Sequence, residues 1–147
     1  STATVNSVAL SSRIAGSAVV VPEYDRSRVE DVGFLTAMTL TVMGNYAQTG
    51  HFGGPLAYTP YTVAGHLIGP KLGGLSFDYR RPKHPYADKF MLAGGHNAPV
   101  TDDLWMNMGE ALGKKYAKTG DSRYYVDPKK RMISIAALGF RRASGPL

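Results

Sequence analysis

A chain of 147 residues with 44% hydrophobic and 19% charged residues has the length of one ordinary domain and the composition of a globular one. With no cysteine it forms neither disulfides nor thiolate metal sites, which fits a reducing, cytoplasmic setting, and no apolar run approaches the roughly 20 residues a membrane span requires. The net charge of +6 excludes a generally acidic surface and points to an acidic or phosphorylated partner.

Residues 1–26 read as a weakly structured arm rich in Ser, Ala and Val, without the basic start of a secretion signal, and 27–147 as a single partial domain with no internal repeat. Ser27-Arg28-Val29-Glu30 has the spacing of a capping box. From there Val29, Val32, Leu35, Met38, Val42, Met43 and Tyr46 recur at helical spacing until Gly50, and Ala37, Leu40 and Ala47 extend the apolar character round the helix. Such a helix is expected to be buried. Thr59-Pro60 predicts the start of a second helix and Gly69-Pro70 its end, with His66 inside as a packing residue. After a loop rich in Gly, Pro and basic residues, Asp88 to Leu92 reads as a short strand. Thr101 or Asp102 is expected to cap a third helix carrying Leu104, Trp105, Met108, Leu112 and Tyr116, which Gly120-Asp121 stops. Asp127-Pro128 predicts a last helix with Ile133, Ala136, Ala137 and Phe140 on one side, Met132 to Ile135 being a strand in the alternative reading.

Two histidines stand beside glycines where one element hands over to the next: Gly50-His51-Phe52-Gly53-Gly54 and Gly94-Gly95-His96-Asn97. Glycine lets a backbone approach a ligand closely, and loops on a fixed scaffold favour binding groups. The plainer reading is that each glycine only turns the chain. Between Lys114 and Arg142 nine basic residues face two acids. That segment is either a binding surface for an anion or a solvated face that docks on an acidic neighbour. Interleaved with Tyr116, Tyr124 and Tyr125, it also admits a non-catalytic module that binds RNA or another polyanion, whose affinity would fall steeply with salt.

The order of these parts resembles the start of the thiamine-diphosphate domain of the transketolase family, which includes the homodimeric pyruvate dehydrogenase first component. Thr49 to Leu56 is similar to the family's Ser-Gly-His-Pro-Gly-Ala-Pro turn, and Asp88 to His96 to its Asp-Arg-Phe-Val-Leu-Ser-Asn-Gly-His. Gly95-His96-Asn97-Ala98-Pro99 also resembles Gly-His-Ala-Ser-Pro, and Phe140-Arg141-Arg142 a Phe-Arg segment that follows the next helix. The resemblance implies a helix-rich first portion of an α/β domain with few strands. It implies transfer of a two-carbon ketol or acyl unit from a ketose or 2-oxo acid, sugar phosphates among the substrates. His51 and His96 would be catalytic contacts to the substrate, and Gly50, Gly95 and His96 cofactor contacts. The cofactor would be thiamine diphosphate with Mg or Ca. The family's metal-binding Gly-Asp-Gly is absent, Gly120-Asp121 being followed by Ser122, and Gly145-Pro146-Leu147 only hints at the stretch that packs on the aminopyrimidine. Metal ligands are therefore expected outside this chain, from a second subunit or a missing C-terminal part, in a two-fold oligomer. A degenerate homologue kept as a scaffold is the other outcome of the same resemblance.

Overall fold

The computed structural model describes residues 13–14, 17–18 and 24–141. Three helices dominate: α1 (Arg26–Ala47), α2 (Gly53–Leu67) and α3 (Ala98–Thr119), each packed on the other two. Strand structure among the described residues is confined to β1 (Arg13–Ile14) and β2 (Ser17–Ala18), an antiparallel pair with Arg13 opposite Ala18 and Ile14 opposite Ser17. The rest of the arm lies outside the described residues. What is present is therefore helix-rich, and the stretch Asp88 to Leu92 expected to form a strand runs without regular structure. Among the described residues no second strand lies beside it to accept its ladder bonds, and a lone strand has nothing to pair with.

The cap of α1 sits two residues before the expected one. Asp25 accepts from the Arg28 amide at 3.1 Å, the Ser27 hydroxyl donates to the same carboxylate, and Glu30 pairs with Arg26 instead of closing a box. The helix ends at Gln48 in the left-handed region (φ 52°), whose N–H reaches the Gly44 carbonyl. Its buried face is Thr36, Leu40 and Met43. Of the stripe read from the sequence Met43 is buried, but Leu35, Met38, Val42 (58%) and Tyr46 are exposed, and Phe34 beside them is 71% exposed. α2 and α3 cover one side only, so the expectation of a buried helix fails for the other.

Both later helices start earlier than their Ser/Thr/Asp signals suggest. α2 begins at Gly53, because Pro55 falls in the first turn, where a missing N–H costs nothing, and Pro60 is left inside the helix. The Thr59 hydroxyl is spent on the Pro55 carbonyl at 2.9 Å. α3 begins at Ala98 behind a 3-10 turn, Gly95–Asn97, again with proline (Pro99) in its first turn, while Thr101 and Asp103 are buried. Gly120, at φ 66°, closes α3 as expected, its N–H meeting the Tyr116 carbonyl.

The core gathers Leu40, Met43, Val100, Met106 and Ala137, with Phe52, Met132, Ala136 and Phe140 packed against it. The last three come from the C-terminal segment, which forms neither the expected helix nor the alternative strand but two 3-10 turns, Pro128–Lys130 and Ser134–Gly139. Its docking on α3 explains why. Gly109 and Gly113, one turn apart, let Arg131 and the Met132 carbonyl lie directly on the helix backbone, and the Met132 N–H donates to the Tyr79 hydroxyl at 3.0 Å. A second α-helix, about 10 Å across, does not approach a neighbour that closely.

Candidate functional site

Gly50, at φ 130°, turns the chain out of α1 and delivers His51 to the surface, exposed, with Phe52 beneath it. The Phe52 ring fills the space left by the missing side chains of Gly44 and Gly50 and meets Phe140 edge-on, centroids 5.8 Å apart. His96 rides on the turn that leads into α3, pressed against Gly54 of α2. A Cβ there would stand 2.9 Å from His96 Nε2 and collide with the Asn97 amide oxygen. These two glycines thus make room for protein groups: Phe52 for Gly50, His96 and Asn97 for Gly54.

The two turns, far apart in sequence, meet. His51, His96 and Arg141 together line a cleft with two lobes of about 290 and 690 Å³. The larger lobe also touches Gly53 and Gly54, the first residues of α2, and the smaller touches Gly95, Ala98 and Pro99 at the start of α3. Neither helix start is capped by a side chain. Two positive helix ends, two imidazoles and a guanidinium therefore open on one space, which favours an anionic or electron-rich ligand. The acid on its wall is Asp102, whose carboxyl burial pushes above the usual range.

Of the residues singled out from the sequence, His51, His96 and Gly95 line this cleft, and Gly50 does not. Arg141 and Asp102 were missed as site residues, although Phe140-Arg141 had been noted. Arg142 and Gly145-Pro146-Leu147 lie outside the described residues. Among the described residues no group of three His, Asp or Glu is placed to hold a metal ion. Nor is any described helix long and apolar enough to cross a membrane.

His66 is a packing residue, as read. Its Nδ1 lies 2.7 Å from the Thr62 carbonyl, and its ring meets Phe77 and Phe90 edge-on. Desolvation holds its pKa below the ordinary imidazole value, against the opposing pull of the Thr62 bond. Next to Asp102, the Asp103 carboxyl is fully buried with neither oxygen hydrogen-bonded, and burial with the neighbouring charge pushes it up to about 8. In the basic segment the Lys115 ammonium sits 4.3 Å above the Tyr124 ring, and Tyr116 meets Tyr125 edge-on. Those contacts occupy ring surface that base stacking would use.

No family model, curated protein or solved structure matches this chain.

Proposed function

We propose that this chain supplies one wall of a thiamine-diphosphate site in a transketolase-like transferase that moves a two-carbon ketol or acyl unit. The observation that carries the reading is the meeting of His51 and His96 in one cleft at the starts of α2 and α3. An imidazole N–H aimed at a carbonyl stabilises the alkoxide that develops there when a carbanion attacks, and the same ring passes protons near neutral pH. The cofactor, when bound, would supply that carbanion. Tested against the residues present, the cofactor's anionic diphosphate suits the uncapped helix starts and the histidines, and Gly95 and His96 would be its contacts. The metal does not suit them, since the described residues bring together no group of three His, Asp or Glu side chains. Mg or Ca would be held by groups from the remainder of the enzyme.

The same reading makes the chain the helix-rich first portion of an α/β domain that works in a two-fold, cytoplasmic assembly. The uncovered stripe of α1, with Phe34, Leu35, Met38 and Val42 exposed, supports it, because contiguous apolar surface of this kind usually meets another protein surface. The test is the assembled enzyme, recovered with its co-purifying chains and assayed with thiamine diphosphate and a ketose or 2-oxo acid donor. His51→Ala or His96→Ala should lower kcat/KM at least about tenfold, equivalent to about 1.4 kcal/mol of transition-state stabilisation. Unchanged turnover in both variants is the result expected of a degenerate scaffold and would end the proposal.

A further inference from the structure

Arg141 belongs to neither Gly-His turn, yet it lines both lobes of the cleft together with His51 and His96. It is brought there from a distance. The segment before it is fastened to α3 at Gly109 and Gly113, and Met132 is tied to the Tyr79 hydroxyl. Ala137 is then buried in the core and Phe140 rests on Phe52, directly beneath the His51 turn. The Arg141 backbone is left-handed, φ 54°, a region that a side-chain-bearing residue occupies only where its surroundings hold it. Among the described residues the guanidinium makes one hydrogen bond, a long 3.4 Å reach from Nη1 to the Thr49 hydroxyl, and lies 5.8 Å from the centre of the Phe140 ring. A guanidinium carries five N–H donors in a planar fork, so one long bond leaves most of that capacity for a ligand of the cleft Arg141 lines.

We infer that Arg141 is a specificity-determining residue that anchors the anionic group of a small ligand in this cleft. The inference deepens the proposed function and rests on it for the place of that group beside the reacting carbonyl. The recognised chemistry is a single phosphate or carboxylate, which a guanidinium binds through two parallel N–H···O bonds with the His51 and His96 rings nearby. Asp102, on the wall of the smaller lobe, would repel the anion when ionised and so opposes Arg141 there. Arg81, exposed on a separate cavity of about 430 Å³ beside His84, serves as an internal comparison.

The test uses the full chain with inorganic phosphate and acetate as probes, followed by calorimetry and by ligand-observed NMR. Wild type should bind, with Arg141→Ala weakening binding about tenfold or more and Arg141→Lys retaining part of it, while Arg81→Ala changes nothing. Asp102→Asn should tighten binding. Preference for phosphate over acetate, or the reverse, identifies the source of the anion. Circular dichroism superimposable on wild type shows that Arg141→Ala has not disturbed the fold. Phosphate and acetate both failing to bind wild type, or binding equally to Arg141→Ala, would overturn the inference. The two readings fail separately. A chain that binds anions through Arg141 but never supports thiamine-dependent transfer keeps this inference and loses the reaction, and transfer indifferent to Arg141 does the opposite.

Discussion

Gly109→Ala should destabilise this protein, although glycine to alanine inside a helix normally does the reverse. Replacing a mid-helix glycine gains about 0.5–1 kcal/mol from the unfolded chain's lost freedom. At Gly109 the new methyl would stand 2.5 Å from the Met132 carbonyl oxygen and 2.7 Å from the Tyr79 hydroxyl, with Arg131 at 2.9 Å. Two of those three are held groups and do not swing aside. Overpacking of this kind costs about 1–3 kcal/mol, and moving Tyr79 off Met132 forfeits a hydrogen bond of about 1 kcal/mol. The net is a loss of about 1–3 kcal/mol, and at this chain length a fall in Tm of about 2–10 °C. Gly33→Ala in α1 and Gly65→Ala in α2 are the matched comparisons, since a Cβ at either meets nothing within 4 Å. They should raise Tm by about 1–4 °C, in line with the helix-propensity gain alone. Thermal unfolding followed by circular dichroism gives the sign, and hydrogen exchange locates the damage, which should appear first at the Met132 amide. Gly109→Ala rising in Tm alongside the two comparison variants, with Met132 as protected as in wild type, would show that the tail is not seated on α3 as described.

Two buried titratable groups give opposite pH signatures. Asp103 titrates near 3.8 in the unfolded chain and is pushed up to about 8 when folded, so the folded state holds a proton the unfolded state has released. Stability should fall as pH climbs from about 4 to about 8 and level off above; Asp103→Asn should abolish that slope, and parallel pH–Tm curves for the two proteins would refute it. His66 is shifted the other way, below 6.5, so its contribution is present above pH 6.5 and is lost as pH falls through the folded value. His66→Phe, which keeps the ring among Phe77, Phe90 and Trp105, should remove the acid-side loss; an unaltered acid limb would exclude His66 as its source.

What could be read from the sequence and what could not separate by the range of the interaction responsible. Helix ends at Gly120 and Gly69-Pro70 were legible because a left-handed glycine or a following proline stops a helix by local geometry. Helix starts were misplaced at α2 and α3 for a local reason too: Pro55 and Pro99 look like breaks, but in a first turn proline is preorganised for the helix. The helical period of α1 was legible, and the expectation that it would be buried all round was not met. A repeat of three and four reports that a face is apolar. It does not report whether Leu40 or Val42 will find a neighbour, which depends on where α2 and α3 lie.

The same distinction runs through the cleft. His51 and His96 carry their signal locally, as imidazoles beside glycines, although only Gly50, at φ 130°, holds a backbone that other residues rarely adopt. Arg141 carries only the Phe-Arg resemblance, because what places it is the fit of residues 131–132 onto two helical glycines. In the sequence Gly109 and Gly113 show only as slightly poor helix residues, and Tyr79 as one tyrosine in an irregular loop. Their function becomes visible in the distances, where the Met132 carbonyl takes the place a side chain would need. If a residue's chemistry is local but its position is fixed far away, substitutions at the distant points should mimic loss of the residue itself. Gly109→Ala should therefore weaken anion binding in the cleft in the direction of Arg141→Ala, while leaving His51 and His96 on their own turns.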